Sequence, residues 1–257
     1  MKIFKNKLIL QKEISKDNCL SFVPTMGGLH KGHLSLIKKA KKYNCKICVS
    51  IFINPTQFNK KDDYKNYPRN IKSDIKVLRK LKVNYLYLPT YTDIYSFKTE
   101  NKIYIDKFSK QLCGKFRKGH FEGVVNVVNR FLEIIKPKYI YLGIKDFQQL
   151  TLIERHIKKN EINTKVIKCK TIREKNGVAC STRNLNLNNK QFTIASNIYK
   201  YLYNLRKKIK KNYKLFKINS IKKDLISLGV NKIDYIEFLN IKNFKRNKNI
   251  KNKFRLF

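Results

Sequence analysis

Short apolar runs that alternate with helical stripes constrain this chain more than any other feature. Leu20 to Val23 is an apolar run that ends at Pro24, so it reads as a buried strand. Leu34 and Ile37, and Leu36 and Ala40, then recur at helical spacing. Ile47 to Ile53 is rich in β-branched residues and is closed by Asn54-Pro55, which predicts a second strand. Ile71, Ile75, Leu78 and Leu81 mark one face of a helix, and Tyr85 to Leu88 predicts a third strand stopped by Pro89. Thr90 to Phe116 carries no regular pattern. Val124, Val127, Val128, Phe131 and Ile135 form a helical stripe ended by Pro137. A strand at Tyr139 to Leu142, a helix at Phe147 to Lys158 and a strand at Lys165 to Cys169 follow. Strands separated by helices imply a parallel sheet covered on both faces, a Rossmann-like wound α/β fold.

The pattern changes after about Thr171. Two Lys-rich helical stretches, Lys190 to Lys211 and Phe216 to Leu228, precede one strand-like run, Ile233 to Leu239. They predict a smaller C-terminal α+β domain, so residues 1–170 and 171–257 are expected to form two unequal domains. A chain of 257 residues suits that division. Asn243 to Phe257 is mostly Lys and Asn with few apolar anchors, and is expected to fray.

A formal charge of +42 raises the question of a nucleic-acid or acidic-membrane partner. The basic residues are spread evenly, without a stripe or arm, and no nucleic-acid motif interleaves them with aromatics. Lys, Asn and Ile run through the whole chain and Trp is absent, as an AT-rich coding sequence favours. Compositional bias therefore accounts for the charge, and neither a dedicated nucleic-acid partner nor a membrane is expected. Weak, salt-sensitive binding to polyanions follows from the charge alone. No apolar run approaches roughly 18 residues, so no membrane span is expected. Met1 to Leu10 alternates Lys with apolar residues and does not resemble a signal peptide. Of six cysteines, Cys45 and Cys48 form a C-x-x-C without a second pair at metal-ligand spacing. Both read as buried strand thiols, and a reducing cytoplasm fits.

Chemistry concentrates in Pro24-Thr-Met-Gly-Gly-Leu-His-Lys-Gly-His33, where a strand gives way to a helix. In a wound sheet that junction is the ligand crevice. Gly27, Gly28 and Gly32 allow close backbone approach, and a helix N-terminus suits phosphate. His30 and His33, three apart, share a face there and can donate to charge building on a phosphoryl centre. A glycine turn with two solvated histidines is the bland alternative. H-x-G-H directly after such a turn resembles nucleotidylyltransferases and class I aminoacyl-tRNA synthetases, which bind ATP and direct attack at its α-phosphate.

Further segments narrow the resemblance. They are Ile51-Phe-Ile-Asn-Pro-Thr-Gln-Phe58, Gly119-His-Phe-Glu-Gly123, Gly143-Ile-Lys-Asp-Phe-Gln-Gln149 and Ser181-Thr-Arg-Asn184. With Pro24 to His33 they resemble the motif set of the pantothenate synthetases, in order and approximate spacing. The likeness covers Leu20 to Asn188 closely and continues more faintly to Asp234-Tyr-Ile-Glu237. It implies a two-step reaction with ATP as substrate and Mg²⁺ in attendance. Pantoate's carboxylate attacks the α-phosphate, pyrophosphate leaves, and β-alanine's amine then takes the acyl group from pantoyl adenylate, giving pantothenate and AMP.

The resemblance also implies roles. Met26, Gly27, Gly28, Leu29, His30, Lys31, Gly32 and His33 would line the ATP site, with His33 in the place of the proton donor and His30 on the phosphates. Gln57 matches a glutamine that touches pantoate and β-alanine, and Gln149 a second pantoate-binding glutamine. Gly143, Ile144, Lys145 and Asp146 would contact the nucleotide, Lys145 through phosphate and Asp146 through ribose. Ile172, Cys180, Ser181, Thr182 and Arg183 would close over ATP from the second domain. Asp74 would stand near Mg²⁺, although an acid in a helix's first turn is favourable for the dipole alone. Asn54 and Tyr67 fit the site wall. Arg117 and His120 either line the site or cap a helix, and His156 reads as structural. A homodimer is implied. Ile144 and Thr182 depart from the family's usual Glu and Ser. The apolar closing strand expected after the Asp-Tyr-Ile-Glu region is not recognisable in Lys242 to Phe257.

Overall fold

The computed structural model describes residues 1–212, 217–241, 243–245 and 254–257. These divide into two compact units: Met1–Ile172 with Cys180–Leu185, and Arg173–Ala179 with Asn186–Phe257.

The first unit runs β1 (Lys2–Phe4), α1 (Lys7–Ile14), β2 (Leu20–Thr25), α2 (Lys31–Ala40), β3 (Lys46–Ile51), α3 (Lys61–Lys65) and α4 (Ile71–Lys80). It continues through β4 (Tyr85–Tyr87), α5 (Tyr91–Tyr95), α6 (Cys113–Phe116), α7 (His120–Ile135), β5 (Tyr139–Gly143), α8 (Phe147–Lys159) and β6 (Lys165–Cys169). Six parallel strands lie in the order β1-β4-β3-β2-β5-β6. The expected wound α/β sheet is present. Side chains alternate between its faces, as the two-residue period of a strand requires. Phe22, Cys48, Tyr85, Tyr87, Ile140 and Leu142 enter one core with α1, α7 and α8. Val23, Ile47, Val49, Ile51, Leu86 and Tyr141 enter the other, with α2 and α4. Burial on both faces explains why the strands read as nearly continuous apolar runs.

Chain order reverses between β2 and β5, which makes the gap between them the switch point of the sheet. The two strands pair only at Ser21–Tyr139 and Phe22–Ile140, then part. β2 continues through Pro24 to Thr25, beyond the expected end at Val23. Pro24 is tolerated because its missing N–H faces the side where β5 has already left. The Thr25 carbonyl points the other way and still accepts from the N–H of Phe52, one residue past β3 (3.0 Å).

Two N-terminal elements carry little sequence signal. β1 has three residues and α1 eight, and α1 leaves Leu8 and Ile9 exposed while Asn6 caps its first turn. The stretch 90–116 is also more regular than its sequence suggests, with α5, α6 and a 3₁₀ turn at Lys107–Lys110. Distant side chains hold it. Arg130 donates to the carbonyls of Ile94 (3.1 Å) and Phe97 (2.7 Å). Glu133 accepts from the amides of Glu100 (3.2 Å) and Asn101 (3.0 Å). Fully buried His156 accepts from Tyr104 N–H through Nδ1 (3.2 Å), so its Nε2–H donates to Asn129 Oδ1 (2.9 Å), a structural role as expected.

The cysteine expectation needs correction. Cys48 is a fully buried strand thiol whose pKa burial pushes up to about 12. Cys45 is not. It stands one residue before β3 and is disulfide-bonded to Cys19, one residue before β2. The register Leu20–Lys46, extended by one residue, brings the two together.

The second unit holds α9 (Asn189–Lys211), α10 (Ile218–Ser227), and an antiparallel pair, β7 (Phe238–Asn240) and β8 (Phe254–Leu256). Asn188 and Gln191 cap α9 reciprocally. Leu205, Ile209, Ile221, Leu225 and Ile236 form this unit's core. The strand foreseen over Ile233 to Leu239 is confined to Phe238–Asn240, and it has a closing partner in the tail, against expectation. The partner was hidden because three residues suffice, with Phe254 stacked on Phe238 at 5.0 Å. The remaining part of the tail expected to fray includes 246–253, which lie outside the described residues.

Candidate active site

A cavity opens at the carboxyl ends of β2, β3 and β5, where the strands part. The turn after β2 forms its first wall. His30 is the N-cap of α2, and its Nδ1 accepts the Gly32 amide (3.0 Å). His33 Nδ1 accepts the His30 amide (3.4 Å), which makes a reciprocal capping box from two imidazoles. A Cβ on Gly32 would lie 2.8 Å from His30 Nδ1, so only glycine lets that ring fold back. Because both Nδ1 atoms accept, both rings carry their proton on Nε2. The rings lie 4.0 Å apart. Burial, then His30 and Lys145, hold the His33 pKa down at about 3, so the ring is a neutral N–H donor.

The end of β3 forms the second wall. Asn54 is 1% exposed and caps the 3₁₀ turn Pro55–Gln57. Its Nδ2 donates to Gly123 carbonyl (3.2 Å), and its Oδ1 accepts from Tyr95 hydroxyl (3.0 Å). Gln57 Nε2 donates to Met26 sulfur (2.8 Å), which ties this turn to the first. His120 Nδ1–H donates to Gln57 carbonyl (2.7 Å), and burial lowers its pKa to about 4. This tautomer is the reverse of the other two and leaves Nε2 as an acceptor. Arg117 donates to the same carbonyl at 3.4 Å. His120 therefore does more than begin α7.

The third wall follows β5. A 3₁₀ turn, Ile144–Asp146, leads into α8. Lys145 Nζ lies 3.1 Å from Asp146 Oδ1. Gln149 lines the cavity and its side chain has no hydrogen-bond partner among the described residues. Ile172 and Cys180 to Arg183 complete the wall, and they belong to the first unit, not the second. Arg183 is held by Asp63 of α3 through two bonds (2.9 and 3.2 Å) and lies over the Tyr67 ring. Phe52, Val124, Val127, Val128 and Phe131 make an apolar floor.

The cavity thus brings together Met26, His30, Gly32, His33, Gln57, Gly143, Lys145, Asp146, Gln149, Ile172, Cys180, Ser181, Thr182 and Arg183. Asn54, Tyr67, Arg117 and His120 join them. Gly27, Gly28, Leu29, Lys31, Ile144 and Asp74 do not line it. The sequence reading missed Lys170, Thr171 and Phe58, and took the valine stripe of α7 for core alone. That stripe is core and floor at once, and helical periodicity cannot separate the two.

Asp74 does not fit the metal role foreseen for it. It is 3% exposed, and its two carboxylate oxygens accept the amides of Gly28 (2.9 Å) and Leu29 (2.8 Å). Among the described residues no group of three or more His, Cys, Asp or Glu could hold a metal ion. No helix of the described chain is long and apolar enough to cross a membrane.

Comparisons with known proteins agree with this geometry. The family model for pantoate-β-alanine ligase matches residues 2–257. A pantothenate synthetase of Francisella tularensis subsp. novicida is 46% identical over 202 residues, 77% of this chain and 74% of the relative. One from Thermosipho melanesiensis is 39% identical over 238 residues, 92% of this chain and 85% of the relative. The crystal structure of pantoate-β-alanine ligase from Francisella tularensis, complexed with β-γ ATP and β-alanine, superposes with a TM-score of 0.82. It shows 39% identity and covers 93% of this chain and 90% of that one. The pantothenate synthetase of Thermus thermophilus gives a TM-score of 0.89 at 28% identity, over 96% of this chain and 90% of that one. A family match along nearly the whole chain, on a fold that gathers the family's motifs around one cavity, leaves one conclusion: this chain belongs to the pantoate-β-alanine ligase family.

Proposed function

We infer that this chain catalyses the ATP-dependent condensation of pantoate with β-alanine to pantothenate, releasing AMP and pyrophosphate. The observation that carries this is the convergence of three strand-end turns on one cavity. One bears the paired imidazoles, one Gln57 and one Lys145 with Gln149. A nucleotidylyltransferase needs the first and third. The amides of Gln57 and Gln149, both lining a cavity with an apolar floor, suit a small hydroxy acid with a gem-dimethyl group.

On this reading a carboxylate oxygen of pantoate forms the new bond to the α-phosphorus while the bond to the β-phosphate oxygen breaks. The electron pair leaves with pyrophosphate. His30 and His33, as neutral Nε2–H donors, and Lys145, as a cation, act on the oxygens that gain charge. Asp146 takes the ribose hydroxyls, and Ser181 and Arg183 the triphosphate. The β-alanine amine then attacks the acyl carbon, the acyl–phosphate bond breaks, AMP departs and the amine proton is lost. No covalent bond to the protein forms, so no thiol is needed.

Mg²⁺, which the resemblance implies, would offset part of the triphosphate's charge when bound. Asp74, whose two oxygens accept the Gly28 and Leu29 amides, would not be among its ligands, and no step here runs through the ion. The working form is a homodimer in the cytoplasm, as the family resemblance implies. The test is to mix protein with ATP, Mg²⁺ and pantoate, add β-alanine, and follow AMP. Pyrophosphate should form before β-alanine is added, and AMP should be released only after it. AMP release that needs no pantoate, or that ignores β-alanine, would overturn the reading.

A further inference from the structure

We propose that Asp74 is the positioning residue of the nucleotide turn: it sets the backbone from which both imidazoles hang, instead of ligating a metal. The turn Gly27-Gly28-Leu29 has two consecutive residues at positive φ, 81° and 62°. Such a turn has little of its own to hold it. Its three N–H groups and the Gly28 carbonyl are nonetheless all taken. Gly27 N–H donates to Thr25 Oγ1 (3.2 Å), which itself donates to Ser50 carbonyl (2.7 Å). Gly28 and Leu29 amides go to the two oxygens of Asp74 (2.9 and 2.8 Å). Gly28 carbonyl accepts from Thr182 Oγ1 (3.1 Å). A Cβ on Gly28 would lie 2.3 Å from Thr182 Cγ2, so the clamp closes only on glycine.

The chemistry requires a carboxylate. Two N–H groups face one side chain, and only an acceptor-only group satisfies both. An isosteric amide would turn an NH₂ against one of them. The carboxylate also withholds these two amides from the triphosphate, so the turn presents imidazoles to the nucleotide and not its own N–H groups. His30 and His33 follow directly on Leu29, and a displacement of about 1 Å at such donors costs on the order of a hundredfold in rate. Anchored in α4, Asp74 ties that displacement to a rigid element.

This inference rests on the ligase reading, which the turnover of the wild-type protein tests separately. The experiment compares Asp74→Asn with wild type in pyrophosphate release from ATP and pantoate, across a Mg²⁺ titration. The same variants are given preformed pantoyl adenylate and β-alanine, and folded fraction is measured alongside. The adenylation kcat per folded molecule should fall on the order of a hundredfold. The Mg²⁺ half-saturation and the second half-reaction should stay unchanged. Recovery of kcat at high Mg²⁺ would make Asp74 a metal ligand, and an unchanged kcat would make it a fold contact only; either overturns the proposal. Should Asp74→Asn not fold, Thr182→Val reads the other jaw of the clamp. Its adenylation kcat per folded molecule should fall about tenfold, the worth of one hydrogen bond, at an unchanged Mg²⁺ half-saturation. An unchanged kcat, or recovery of kcat at high Mg²⁺, would sink the proposal.

Discussion

At the scale of residues, the site works through the protonation states that burial imposes. His33 is neutral because burial disfavours its charge, and its proton sits on Nε2 because Nδ1 is engaged by the His30 amide. A neutral donor is cheap to keep buried, yet gains strength as negative charge develops on the phosphates. Lys145 adds a full charge beside it. His33→Ala and Lys145→Ala should each slow adenylation by about a hundred- to a thousandfold, the usual loss of about 3–4 kcal/mol for one such donor. Both variants should process preformed pantoyl adenylate with β-alanine at close to the normal rate, because that step releases no pyrophosphate. Single-turnover measurement of each half-reaction checks this, and equal damage to both would assign these side chains to the fold or to the pantoyl site.

At the scale of elements, α7 does three tasks with one stripe. Its valines and Phe131 pack on the sheet and floor the cavity, and Gly123 beside them meets the 3₁₀ turn that carries Gln57. Close approach makes the last task possible. A Cβ on Gly123 would lie 2.5 Å from Thr56 carbonyl oxygen and 2.7 Å from its carbon. Gly123→Ala must therefore push α7 and the Pro55–Gln57 turn apart. Overpacking of this kind costs about 1–3 kcal/mol. KM for pantoate and for β-alanine should rise severalfold while ATP affinity, set by the turns after β2 and β5, changes little. Titration of each substrate in turn would show it, and a selective loss of ATP affinity would contradict the assignment of walls. The strands and long helices were legible because their apolar periods are local. α5 and α6 were not, since Arg130, Glu133 and Gln148, far along the chain, satisfy the backbone of the 90–116 stretch, and α1 leaves Leu8 and Ile9 exposed, which blurs its apolar face.

At the scale of the molecule, three histidines are kept neutral by the folded state. Burial lowers the pKa of His33 to about 3, of His120 to about 4, and that of His156 below its ordinary value. The unfolded chain takes up protons at these positions from about pH 6.5 downward, and the native state does not. Their contribution is therefore complete above about pH 6.5 and declines as pH falls from there towards the native pKa values. By about pH 5 the loss is up to about 2 kcal/mol each for His33 and His120. The urea midpoint should drop between about pH 7 and pH 5, and less steeply in His156→Gln. A flat midpoint, or an identical slope in that variant, would refute the assignment.

Sequence by itself determined the wound parallel fold, the turns that bear the chemistry and the family. Apolar period, proline stops and H-x-G-H are local facts that need no knowledge of what lies opposite. Tertiary structure alone decided the rest. Cys45 met Cys19 through strand register, not through its C-x-x-C neighbour. Cys180 to Arg183 joined the first unit although they follow the expected boundary. Asp74 turned from the metal role to the amides of Gly28 and Leu29. Each of these depends on groups brought together across tens of residues, and a carboxylate's role is set by which donors the fold puts within 3 Å of it.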